Sequence, residues 1–178
     1  MSTRPKPMKI IVYGHPSLRK KCEPVTAFTD ELRRFAEALL VTMYENDGVG
    51  LAASQVDRLI QLLVVAVPQE DTDERLEMAV VNPEILETRG SWEYEEGCLS
   101  VPELRDVVRR PEWIKLAYQD LDGKQHVIEA RGLVARVLQH EIDHLNGVLF
   151  VDHLSPVRRS LIDAKLRQME QEGQQTCV

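Results

Sequence analysis

The chain predicts an α+β fold: antiparallel or mixed β-sheets around a central helix carrying an H-E-x-x-H pentad, with one helix ahead of the sheets and another at the C-terminus. Two observations lead there. The 178 residues, 43% of them hydrophobic, suit one domain with one core. Along them, a helix-period stretch precedes a run of short β-rich segments, and two more helical stretches close the chain.

The first helix starts at a Thr29 cap, with Asp30 and Glu31 in its opening turn. It carries Leu32, Phe35, Ala36, Leu39, Leu40 and Met43 on one stripe, and Asn46-Asp47-Gly48 stops it. Strands are predicted over 61–67, ended by Pro68, and over 78–81, 91–94 and 106–109. Alternating runs over 113–119 and 125–130 flank Asp122-Gly123, a hairpin signal. A helix follows over 132–145, closed by Asn146-Gly147. The last helix begins at Ser155-Pro156, a cap followed by proline, and runs towards Gln171, leaving 172–178 as a frayed tail.

Composition narrows the functions. A formal charge of −7 argues against long-range attraction to nucleic acid, and the pairs Arg33-Arg34, Arg109-Arg110 and Arg158-Arg159 read as solvated faces. No apolar run approaches the roughly 20 residues of a membrane span, and the polar start, Met1 to Pro7, lacks the apolar core of a secretory signal, so a cytoplasmic location is expected. Three cysteines, Cys22, Cys98 and Cys177, show no paired spacing, which favours free thiols or a metal ligand.

The chemistry gathers at His140-Glu141-Ile142-Asp143-His144. At about 100° per residue, two histidines four apart lie about 40° apart around the helix, so both imidazoles can reach one ion. Leu133 and Val137 share that stripe, while Val134, Leu138, Ile142 and Leu145 lie on a neighbouring face that can enter the core. Glu141 is placed to take a proton from an activated water.

A third ligand must come from elsewhere. Gly147 fits the metzincin extension, but its final position is Phe150, and no glutamate lies between the pentad and Glu170. Cys98, in Glu95-Glu96-Gly97-Cys98-Leu99-Ser100 just after a predicted strand, would complete a set that leaves a fourth position open; a small buried hydrophobe is the alternative reading. The segment Gly48-Val49-Gly50-Leu51-Ala52-Ala53-Ser54-Gln55 lacks nucleotide-binding spacing and a phosphate-binding lysine. It reads as a flexible loop able to pair with an extended peptide, with Gln55 adding an amide donor, or else as a helix-terminating turn.

Gly48 to Gln55, Glu96-Gly-Cys-Leu-Ser100 and Gln139-His-Glu-Ile-Asp-His144, in this order, resemble the three signature motifs of peptide deformylase. The likeness extends to Tyr13–Val25, with Pro16-Ser-Leu-Arg19 and Pro24-Val25, and to His144-Leu-Asn-Gly147, so it spans nearly the whole chain as one catalytic domain, 1–178. The resemblance implies removal of the formyl group from the N-terminal formylmethionine of new polypeptides, releasing formate. It implies Cys98, His140 and His144 as metal ligands, Glu141 as general base, and the Gln55 side chain and Leu99 N–H as oxyanion donors. The ion would be Fe(2+), with Zn(2+), Ni(2+) or Co(2+) able to replace it. The peptide would add as a strand along Gly48 to Gly50, its methionine entering a pocket of Val49, Tyr94, Leu133, Val137 and the stem of Arg136, whose head is expected to snorkel outwards. Such a substrate implies transient ribosome contact, for which the last helix, with Arg158, Arg159, Lys165 and Arg167, is the candidate surface. Cys22 and Cys177 receive no role. The rival readings are an internal metallopeptidase and a non-catalytic metal-binding scaffold, the latter disfavoured by the presence of Glu141.

Overall fold

The computed structural model describes residues 5–69 and 73–175; residues 1–4 of the polar start and Cys177 lie outside them. Ten elements position the site: α1 (Asp30–Glu45), β1 (Gly50–Ala52), β2 (Leu62–Pro68), β3 (Arg75–Arg89), β4 (Trp92–Cys98), β5 (Val101–Arg110), β6 (Trp113–Gln119), β7 (Gln125–Arg131), α2 (Gly132–Leu145) and α3 (Pro156–Gln175). Short 3-10 turns at Pro16–Arg19, Ala53–Val56 and Phe150–His153 join them.

Five strands form an antiparallel sheet in the order β1-β2-β3-β6-β7, while β4 and β5 make a separate two-stranded sheet. The unbroken apolar run of β2 has a simple cause: the strand is covered on both faces. Leu62, Val64 and Ala66 meet Leu32, Ala36, Leu39 and Met43 of α1. Leu63, Val65 and Val67 face Ala135, Leu138 and Ile142 of α2 together with Ile114 and Leu116 of β6. The Thr29 hydroxyl caps α1 by accepting from Leu32 N–H, as its sequence requires.

The strands are longer than local pattern suggests. The segment at 78–81 belongs to a strand reaching Arg89 through Pro83, because its ladder to β6 shifts register between Val81 and Glu84, where a proline costs no hydrogen bond. Asn82 takes a positive φ of 49° there and ties the Val25 N–H and C=O with its own amide. The segments at 91–94 and 106–109 are parts of one long hairpin, β4–β5, that turns at Leu99-Ser100. The flexible loop expected over Gly48 to Gln55 is instead partly a buried strand: β1 pairs with β2, Gly50 opposite Val65 and Ala52 opposite Leu63. The hairpin at Asp122-Gly123 and the pentad helix form as the sequence predicts.

The last helix runs past Gln171 to Gln175. Two features oppose fraying before that point. Leu166 is buried, and Gly173 lies so close to the N-terminal segment that a Cβ on it would sit 2.2 Å from the Tyr13 carbonyl oxygen. No helix among the described residues is long and apolar enough to cross a membrane.

Candidate active site

α2 brings His140 and His144 one turn apart with their Nε2 atoms 3.3 Å from each other, and the Sγ of Cys98, at the end of β4, lies 3.3 Å from His144 Nε2. One ligand atom from each residue falls within a 4.8 Å cluster, so the three form a group able to hold a metal ion. The chemistry of the donors fits such an ion. The other nitrogen of His140, Nδ1, is engaged by Glu96 Oε2 at 2.9 Å, which fixes the ring with Nε2 turned towards His144 and Cys98. Burial, together with the neighbouring His140 and Arg110, holds His144 well below the ordinary histidine range, in the neutral form that ligates metals.

Glu141 sits on the same turn, 4% exposed, and its Oε2 has no hydrogen-bond partner among the described residues. Burial pushes its carboxyl up to about 7. Gly50 makes room for it: a Cβ on Gly50 would lie 2.6 Å from Glu141 Oε1 and 2.9 Å from Val137 Cγ1. The glycine is therefore required by the close approach of β1 to α2.

Gln55, buried in the turn after β1, has its amide fixed at both ends. Its Oε1 accepts from Ala52 N–H at 2.9 Å, and its Nε2 donates to Ser100 Oγ at 3.1 Å and approaches Cys98 Sγ at 3.7 Å. Leu99 follows Cys98 in the β4–β5 turn and lines the same cleft. A cleft of about 630 Å³ joins these groups: Gln55, Cys98, Leu99, His140 and Glu141 line it together with Val49, Gly50, Tyr94, Leu133, Arg136 and Val137. Every pocket residue expected from the sequence thus faces one space, while His144 lies buried behind it.

Arg136 corrects one expectation. Its head does not snorkel out; the side chain is 3% exposed, and Nη1 donates to Glu96 Oε1 at 2.5 Å and to the Val108 carbonyl at 3.1 Å, while Nη2 donates to the Trp92 carbonyl at 2.5 Å. A buried carboxylate receives it, so water is not needed. The guanidinium also lies 4.8 Å from the Trp92 ring centroid and 5.6 Å from that of Tyr94, bracing the cleft wall.

That carboxylate, Glu96, is the group sequence reasoning passed over. It accepts from Arg110 Nε at 2.6 Å and Nη2 at 3.1 Å, from Arg136 and from His140. Burial alone would raise its pKa, but His140 and Arg110 outweigh it and hold the carboxyl far below the usual range. Arg110 in turn donates to Asp143 Oδ2 at 2.7 Å, and that oxygen also lies 2.7 Å from His153 Nε2. The strand expected over 91–94 left Glu96 outside it, and only the observed extent of β4, Trp92–Cys98, brings it into the strand that ends at Cys98. Nothing local marks Arg110 as its partner.

Known proteins match this arrangement. The family model for polypeptide deformylase matches residues 7–160. A peptide deformylase of Wolinella succinogenes is 46% identical over 165 residues, covering 92% of this chain and 97% of that protein. The crystal structure of the Thermus thermophilus peptide deformylase superposes with a TM-score of 0.86 at 40% identity, covering 93% of this chain and 98% of the other. A plant peptide deformylase superposes at 0.90 with 34% identity, over 99% and 96% of the two chains. The chain belongs to the polypeptide deformylase family, the metallohydrolases that remove the formyl group from the N-terminal formylmethionine of polypeptides.

Proposed function

We propose that the chain is one catalytic domain in which Cys98 Sγ, His140 Nε2 and His144 Nε2 hold a single divalent ion, iron(II) in the cell, with zinc, nickel or cobalt able to take its place. Such an ion supplies Lewis acidity towards the formyl oxygen and the attacking water. The remaining work falls to the protein. Glu141 accepts the proton of the water that attacks the formyl carbon and passes it to the leaving amine as the C–N bond breaks, so formate and a free methionine amine result. The Gln55 Nε2 and the Leu99 N–H donate to the oxygen that gains charge at the tetrahedral stage. The outer edge of β1 pairs with the peptide main chain, and Val49, Tyr94, Leu133, Val137 and the Arg136 stem receive the methionine side chain.

The observation carrying this reading is the unpartnered, buried Glu141 Oε2 in the same cleft as two of the three ligand-type residues. The experiment is formate release from formyl-Met-Ala-Ser by anaerobically purified protein beside Glu141→Ala, with metal content measured in both. Turnover by the wild type and its loss in an equally metallated variant is the expected result. An inactive, fully metallated wild type would sink the reading.

A cytoplasmic location and transient ribosome contact complete the proposal. Of the basic side chains on α3, Arg158, Arg159 and Arg167 are engaged by Asp106, Asp152 and Asp163. The contact therefore rests on Lys165 with Val157 and Leu161, four residues apart and 71% and 79% exposed.

A further inference from the structure

The two proposed oxyanion donors belong to different sheets. Gln55 follows β1 of the five-stranded sheet, whereas Leu99 turns between the strands of the two-stranded one, and no ladder among the described residues joins the two sheets. Their relative position must be set by something else. The N-terminal segment crosses both: Ile11 N–H donates to the Gln55 carbonyl at 2.9 Å, and Tyr13 N–H donates to the Ser100 carbonyl at 2.7 Å. Both residues are buried, so neither bond is exposed to competing water. The Gln55 amide closes the circuit by donating to Ser100 Oγ at 3.1 Å. One carbonyl grasped by this segment belongs to the residue whose side chain is a donor; the other belongs to the residue just after the second donor.

We propose that Ile11 and Tyr13 are positioning residues whose main-chain N–H groups set the spacing between the Gln55 amide and the Leu99 N–H. This rests on the reading that those two groups stabilise the oxyanion. Stabilisation of that kind demands donors about 2.7–3.1 Å from where charge develops, and a displacement of about 1 Å in such a site costs on the order of a hundredfold in rate. A strap bonded to both turns holds that distance without touching substrate.

The test replaces single amides by esters, which deletes one N–H and leaves the side chain in place. Cys22 permits this without a scar, since a synthetic 1–21 thioester can be ligated to a chain beginning at Cys22 and the whole refolded and metallated. Esters at Ile11 and at Tyr13 should each lower kcat for formyl-Met-Ala-Ser about tenfold, with KM within about twofold. An ester at Leu18, whose N–H bonds His15 O at 3.2 Å in the Pro16–Arg19 turn, should lower the thermal midpoint and leave kcat unchanged. In a Gln55→Ala background the Ile11 ester should lower kcat no further, because the side chain it positions is gone. The proposal is overturned if both esters keep kcat within twofold of the all-amide chain, if they raise KM instead, or if the Ile11 ester costs the same factor without Gln55. An all-amide semisynthetic chain that releases no formate would bring down the functional reading, and the strap with it; active esters would bring down the strap alone.

Discussion

Replacing Glu96 by glutamine keeps its shape and removes its charge, and the structure says where the damage falls. Arg110 retains an anion, Asp143 Oδ2 at 2.7 Å. Arg136 does not: its other acceptors are the Val108 and Trp92 carbonyls, and it is 3% exposed, so the variant leaves a guanidinium charge in the core without a counter-charge. Breaking a buried pair in this way costs about 3–5 kcal/mol, a large share of the roughly 5–15 kcal/mol that holds a domain folded. A second effect is local to the ligand. His140 loses the carboxylate behind its Nδ1, and loss of such a partner weakens metal binding by about 10–100-fold. Denaturant unfolding of metal-free protein and competition with a chelator measure the two effects apart. Arg136→Met in the Glu96→Gln background removes the orphaned charge and should recover part of the lost stability, while leaving metal affinity low. A double variant less stable than Glu96→Gln alone, or a single variant within about 1 kcal/mol of wild type, would refute the reasoning.

Further outcomes follow from the same geometry. Gly50→Ala would place a methyl 2.6 Å from Glu141 Oε1, so formate release should fall by about a hundredfold or more while the fold persists, as circular dichroism and turnover would show together. Leu133→Asp puts a charge into the cleft and should raise KM for formyl-Met-Ala-Ser; unchanged turnover would remove Leu133 from the methionine pocket. Burial tends to raise the Asp152 pKa, but Arg19 and the Leu149 N–H outweigh it and hold the carboxyl below its ordinary value. Its contribution is therefore present above the unfolded carboxylate range and lost as pH falls through the lower folded value, so the stability gap between wild type and Asp152→Asn should narrow on acidification in urea titrations. Val157→Glu with Leu161→Glu should weaken co-sedimentation with ribosomes and spare small-peptide turnover, since neither side chain is buried.

What the sequence revealed and what it hid divide along a physical line. The pentad, the Thr29 cap and the Asp122-Gly123 hairpin depend on neighbours a few residues away, and each stands where periodicity and turn chemistry put it. Cys98 joined the histidines because motif order, not spacing, identified it. The hidden parts depend on partners far along the chain. Glu96 meets Arg110 across the β4–β5 hairpin and Arg136 from α2, and the carboxylate that receives the Arg136 head lies 40 residues away in sequence. The length of β3 escaped because Pro83 reads as a terminator until a register shift absorbs it. β1 escaped because glycines read as a loop until a helix presses against them.

The brevity of β1 has a consequence for solubility. An open sheet edge is a template for any extended chain, and segments of about six or seven residues suffice to seed cross-β stacking. Gly50–Ala52 offers three residues with no side chain at its first position, enough on the proposed reading to register a short unstructured peptide and too little to propagate a sheet from one molecule to the next. A protein that must take hold of unfolded chains, one after another, thereby keeps an adhesive edge without becoming a nucleus for aggregation.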